Sequence, residues 1–226
     1  MKIEELEIEK NIQSVRLHIP PSVKLVCVSK FHTNATILEA YNSGERIFGE
    51  SKVQELCKKQ PELPADISWH FVGHLQTNKV KFLVPFVDLI HGVDSLKLLT
   101  EINKQAAKID RKINCLLQVH IAQEDTKFGF DESELCALLA SGILKDFKHI
   151  SIRGLMGMAT FTDNMEQVRQ EFRGLKNLFD QVKADFFAAD ADFSELSMGM
   201  SDDYQIAISE GSTMVRIGSL IFGNRE

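Results

Sequence analysis

At 226 residues, with 44% apolar and 26% charged side chains, the chain has the length and make-up of one globular domain, not of a disordered or membrane-embedded protein. A formal net charge of −6 and scattered lysines and arginines argue against a nucleic-acid binder, whose affinity rests on clustered basic residues. Its apolar runs fall far short of the roughly 20 residues a membrane span needs, and the acidic segment Met1–Lys10 is unlike a secretion signal, so a cytoplasmic protein that does not enter a membrane is expected.

An opening helix is predicted over residues 2–18, followed by a strand at Lys24–Ser29. A helix over Ala35–Ser43 is closed by Gly44, and strands follow at Arg46–Gly49, Ser68–Gly73 and Val87–Gly92. Asp94–Ser95 caps a helix over Leu96–Lys108, which leads to a strand at Ile113–Ile121. The helix over Asp131–Leu139 has apolar positions at Leu135, Leu138 and Leu139, and the next strand is Ile150–Met158. Val168, Phe172, Leu175 and Phe179 mark a helix over Met165–Val182. The pattern closes with a strand at Ser194–Met198, a helical stretch over Asp202–Glu210, a strand at Met214–Gly218 and a short final helix.

The five prolines fall at element boundaries and nothing marks a linker, so residues 1–226 are expected to form one domain. Eight strands alternating with helices point to an α/β protein with a (β/α)8 TIM barrel and an extra N-terminal helix. A doubly wound open sheet shares that periodicity and is the alternative.

Cys27, Cys57, Cys115 and Cys136 lack C-x-x-C spacing and lie in or beside apolar stretches, which predicts buried free thiols. His70 and His74 have a chelating spacing for a helix, but Trp69–Gly73 reads as a strand, so they would not share a face and no metal site is expected. Met156, Met158, Met198 and Met200 are expected in the core, filling gaps near a pocket.

The active site of an α/β barrel forms where strands end, and three ends carry candidate chemistry. In the first strand, alternation puts Val26, Val28 and Lys30 on one face, with an amine at the mouth. An ammonium held against apolar neighbours loses hydration, its pKa falls, and the neutral amine can attack an aldehyde; a solvated strand-end lysine is the plain alternative. The seventh strand runs into Ser197-Met198-Gly199-Met200-Ser201-Asp202-Asp203, where exposed N–H groups ahead of a helix suit a phosphate. Ser201 or Asp202 serving only as an N-cap is the competing reading. The eighth strand places Met214, Arg216 and Gly218 on one face, with Val215 and Ile217 toward the helices, and ends at Gly218-Ser219. Arginine would then point into the barrel, unless the alternation runs the other way. The loops after strands seven and eight are the usual phosphate site of such barrels, and a phosphate cradle, an inward arginine and a desolvated lysine together are what pyridoxal 5′-phosphate requires.

Long motifs make the resemblance specific. They are Val28-Ser29-Lys30, Phe48-Gly49-Glu50 with Val53-Gln54-Glu55, Trp69 to Lys79, His91-Gly92-Val93-Asp94-Ser95-Leu96, Arg153-Gly154-Leu155-Met156, Leu196 to Asp203, and Gly211 to Ser219 with Ile221-Phe222-Gly223. In these the chain resembles the pyridoxal phosphate homeostasis protein family, relatives of the N-terminal barrel of alanine racemase. The resemblance implies the third fold type of pyridoxal phosphate proteins, with the cofactor held as a Schiff base on Lys30. It implies Arg216 facing the pyridine nitrogen, and Ser197, Ser201, Gly218 and Ser219 around the phosphate. Two departures lie at the rim. Ser51-Lys52 stand where many relatives have asparagine and an aromatic, and Phe31-His32-Thr33 stand where many have Thr-Lys-Pro.

The implied function is intracellular homeostasis of pyridoxal 5′-phosphate, possible partners being pyridoxal phosphate-dependent apo-enzymes; the alternative is an amino-acid racemase or related enzyme. Racemisation needs a base on each face of the substrate carbon. In the related racemases a tyrosine from a second domain supplies one of them. The chain reaches Glu226 directly after its eighth strand and final helix, and Tyr41 and Tyr204 are its two tyrosines, so no second acid/base domain and no catalytic residue are expected.

Overall fold

A computed structural model describes residues 2–123 and 128–223, with side chains from Glu7 onward. Eight parallel strands close on themselves: β1 (Lys24–Val28), β2 (Ile47–Glu50), β3 (Ser68–Phe71), β4 (Leu89–Val93), β5 (Ile113–Gln118), β6 (Ile150–Met156), β7 (Glu195–Ser197) and β8 (Met214–Ile217). β8 pairs back onto β1 in the register Lys24↔Met214 to Cys27↔Ile217, which makes the sheet a barrel and rules out the open-sheet alternative.

Two apolar layers follow from strand alternation. Val26, Val28, Leu89, Leu116, Met156 and Met214 fill the inside of the barrel. Their neighbours Leu25, Cys27, Leu117, Leu155, Val215 and Ile217 face outward into the larger core beneath the helices. The inward reading of Met214 and Arg216 therefore holds, since the adjacent positions are committed to the outer layer.

The surrounding helices are α1 (Lys2–Arg16), α2 (Asn34–Asn42), α3 (Val53–Lys59), α4 (Val80–Leu83), α5 (Leu96–Ala107), α6 (Glu132–Ala140), α7 (Met165–Phe186), α8 (Tyr204–Ser209) and α9 (Ser219–Phe222). Caps set several of their starts. Ser95 accepts from the Leu98 N–H, and Asp131 and Glu134 form a reciprocal capping box. Gly44, just past α2, takes a φ of 103°, a conformation that suits glycine. α1 is the extra helix. It buries Ile8, Ile12 and Val15, Asn11 donates to the Ile221 carbonyl at 3.1 Å, and Arg16 pairs with the buried Glu45.

Several expectations need correction. α8 begins at Tyr204, so neither Ser201 nor Asp202 caps it; Asp203 occupies that position and its carboxylate accepts the Met200 N–H, bending the loop. Met200 is exposed and Met158 half-buried, while Met156 and Met198 lie in the core. Cys27 and Cys115 are buried, whereas Cys57 and Cys136 are only partly so. α3 lies between the second and third strands, where no helix was placed, while α4 follows directly on a helical turn at Thr77–Lys79, where Asn78 and Lys79 allow a helix to begin. Among the described residues no helix is long and apolar enough to cross a membrane.

Candidate functional site

The ends of β7, β8 and β1 are consecutive around the barrel, because β8 pairs with both neighbours. Lys30 stands two residues beyond β1 and is half-buried. Gly218 directly follows the adjacent strand, and a Cβ added there would lie 3.0 Å from the Val28 carbonyl oxygen. A side chain at this position would push the two strand ends apart by a few tenths of an ångström. On the other side of β8, the Arg216 N–H donates to the Gly199 carbonyl at 3.0 Å, holding the 199–203 loop against the same strand. Lys30, Ser201, Gly218 and Ser219 therefore leave the barrel at neighbouring points of one rim. Ser201 is partly exposed and Ser219 exposed. At the start of α9, the Ser219 and Leu220 N–H groups precede the first carbonyl that could serve them within the helix.

The backbone around Lys30 is tied down. The Ser29 N–H donates to Gly49 O at 2.9 Å, and its hydroxyl donates to Glu50 Oε1 at 2.6 Å. The Ser29 carbonyl accepts from Lys59 Nζ at 2.9 Å, and the Phe31 N–H donates to Glu55 Oε1 at 2.6 Å. Glu50 is fully buried. Desolvation raises its pKa, opposed by the hydrogen bonds from Lys59 and Ser29.

Beneath the rim a polar chain crosses the barrel interior. Arg216 Nη1 donates to Ser197 Oγ at 2.7 Å and Nη2 to the Gly157 carbonyl at 3.1 Å. Ser197 Oγ lies 3.0 Å from His91 Nδ1, and His91 Nε2 lies 3.0 Å from His70 Nδ1. A guanidinium can only donate, so Ser197 Oγ accepts from it, and the same hydroxyl is the partner of His91 Nδ1. Both rings are neutral: burial lowers the His70 pKa to about 3, and burial, His70 and Arg216 hold His91 well below its ordinary value. Burial also lowers Arg216, to about 10, with Asp203 opposing the shift, so the guanidinium remains charged at neutral pH.

Ser197 is thus separated from the other phosphate candidates. It is fully buried below Arg216, with its hydroxyl engaged by Arg216 and His91. His70 and His74 also part company, His74 being exposed and paired with Asp94 at 3.0 Å. Sequence reasoning missed the role of His91 and of Lys59 and Glu55. Burial of charged residues along a strand–helix unit was the available signal, but it needs the fold to be read.

The alanine racemase N-terminal domain family matches residues 3–226. A pyridoxal phosphate homeostasis protein of Aquifex aeolicus is 40% identical over 204 residues, covering 90% of this chain and 87% of the relative. Its counterpart in Schizosaccharomyces pombe is 35% identical, covering 90% and 85%. PipY of Synechococcus elongatus, solved with PLP bound, has a TM-score of 0.86 at 36% identity, covering 96% of this chain and 100% of that one. An alanine racemase of Clostridium difficile shares the fold at 14% identity and a TM-score of 0.75, and the alignment covers 56% of its length. The chain belongs to the alanine racemase N-terminal domain family and, within it, to the pyridoxal phosphate homeostasis proteins.

Proposed function

We propose that this protein binds pyridoxal 5′-phosphate through Lys30 and acts in the cytoplasm, as a single domain, to hold the cofactor and regulate its supply to apo-enzymes. The observation that carries the reading is the meeting of Lys30, the Gly218–Ser219 turn and the 199–203 loop at three adjacent strand ends, above a buried cationic Arg216. When bound, the cofactor supplies an aldehyde that condenses with an amine, forming a C=N bond and releasing water. The residues fit such a group. Lys30 would hold the aldehyde carbon, and Arg216 would face the ring nitrogen. Ser201, Ser219 and the backbone N–H groups at Gly218 to Leu220 would receive the phosphate. Ser197 keeps Arg216 in place. The PipY relative, which has PLP bound in its structure, supports the reading.

Two features favour holding the cofactor over turning it over. Tyr41 lies on an outer helix, where its hydroxyl donates to Asp66 at 2.7 Å, and Tyr204 is packed in the outer apolar layer with its hydroxyl against Gln205. Neither is presented to the barrel interior as a second base. Arg216, charged at neutral pH, can only donate to the ring nitrogen and so favours its unprotonated form, which is a poor sink for carbanion charge. A cofactor titration followed by a chiral assay on a panel of amino acids tests the proposal. Stoichiometric binding with turnover far below about 1 s⁻¹ supports a carrier, whereas turnover near or above that range makes the racemase reading correct.

A further inference from the structure

Both peptide groups that flank Lys30 end on one buried ion cluster. The Ser29 carbonyl, which precedes Lys30, accepts from Lys59 Nζ at 2.9 Å; the Phe31 N–H, which follows it, donates to Glu55 Oε1 at 2.6 Å. Lys59 joins the two sides, donating to that same Glu55 oxygen at 2.6 Å and to Glu50 Oε1 at 2.8 Å. Glu50 Oε1 also accepts from the Ser29 hydroxyl at 2.6 Å. The Lys59 side chain is 8% exposed and that of Glu50 0%.

A fold does not need this arrangement merely to seat α3. Val53 and Leu56 already bury its apolar face, and taking charges out of water is costly unless each is well paired. Glu50 Oε2 is buried with no hydrogen-bond partner, so the cluster is not arranged for full satisfaction. Phe31 adopts a φ of 70°, a region sparsely populated by residues other than glycine, and its N–H is the group Glu55 holds. A polar cluster that incompletely satisfies itself, yet grips both sides of one lysine and fixes a strained turn after it, is directed at that lysine.

We propose that Lys59 and Glu55 are positioning residues for Lys30: by fixing both of its peptide groups they aim its amine at the mouth of the barrel and so promote capture of an aldehyde. The inference rests on the reading of Lys30 as the aldehyde-binding residue. A lysine stem has four rotatable bonds, so orientation at the amine is lost quickly once the backbone also moves. Neither Lys59 nor Glu55 contacts the cofactor in this scheme; each acts through the Lys30 backbone.

The test compares two probes on Lys59→Met and Glu55→Gln. Pyridoxal 5′-phosphate can bond to Lys30, whereas pyridoxine 5′-phosphate, an alcohol in place of the aldehyde, uses only the ring and phosphate contacts. For Lys59→Met, pyridoxal phosphate retention should fall by about tenfold or more and its visible absorption band should shift, while pyridoxine phosphate binding stays within about twofold. Glu55→Gln should move in the same direction by a smaller factor. Because its side chain is 20% exposed, it carries the comparison if Lys59→Met does not fold. Equal losses for both probes, or unchanged pyridoxal phosphate retention, overturn the inference. Failure of the wild-type protein to give a borohydride-fixed adduct on Lys30 removes the underlying reading, and the inference with it, and is distinguished by needing no variant.

Discussion

Arg216 Nη1 donates to Ser197 Oγ at 2.7 Å inside the barrel, and the same oxygen lies 3.0 Å from His91, the first of two buried histidines beyond it. Ser197→Ala removes an acceptor from a buried guanidinium and a hydrogen-bond partner from His91. The loss should be about 1–3 kcal/mol of stability, read from urea denaturation at neutral pH. A variant as stable as the parent means that water or a neighbour replaces the hydroxyl and that the chain of hydrogen bonds is not cooperative.

Arg216→Gln keeps volume and polarity while removing the fixed charge. The absorption spectrum of bound cofactor, or its pH titration, should change, with pyridoxine phosphate binding largely kept. Loss of inorganic phosphate binding with an untouched spectrum would make Arg216 a phosphate ligand and misplace the ring.

The neutral histidines make the fold acid-sensitive. His70 titrates near 3 in the folded chain and near 6.5 in the unfolded chain, so below about 6.5 the unfolded state binds the extra proton. Stability from this ring is complete above that value and is lost as pH falls toward 3, by up to about 1.4 kcal/mol per pH unit. His91 acts in the same sense, while the raised carboxyls of Glu50 and Asp203 work against it. The urea midpoint should drop between about pH 7 and about pH 5, and His70→Gln should flatten the fall. A His70→Gln midpoint that changes with pH just as the parent's does over that interval would contradict a neutral His70 in the folded protein.

Gly218→Ala sets a Cβ within 3.0 Å of the Val28 carbonyl. The loop must shift by a few tenths of an ångström, so both pyridoxal phosphate and pyridoxine phosphate should bind several-fold more weakly. Isothermal titration with each ligand separates this shared loss from the selective one expected for Lys59→Met. Unaltered affinity for both would show that the phosphate is held elsewhere.

The barrel was legible because alternation is a local signal. All eight strands lie where Val26, Val28, Leu116 and their counterparts repeat every second residue, with ends moved by a few positions where the last residues pass into loops. α3 was not legible: seven residues give Val53 and Leu56 too little length for a helical period. α7 runs to Phe186, past the last clear apolar repeat. The site was half legible. Lys30, Gly218 and Ser219 lie one or two residues past strand ends and can be found along the chain, whereas His70, His91, Ser197 and Arg216 come from four different strands and meet only when the sheet closes. The same closure brings the Ser197 hydroxyl onto Arg216 and His91.

The central claim is that Lys30 is the residue that holds the aldehyde. Purified protein incubated with pyridoxal 5′-phosphate, reduced with borohydride, digested and mapped by mass spectrometry tests it most directly. The account requires the reduced cofactor mass mainly on the peptide containing Lys30, and its disappearance from that position in Lys30→Ala even if another lysine then captures some cofactor. A principal label on any other lysine of the wild-type protein, or none at all, contradicts it.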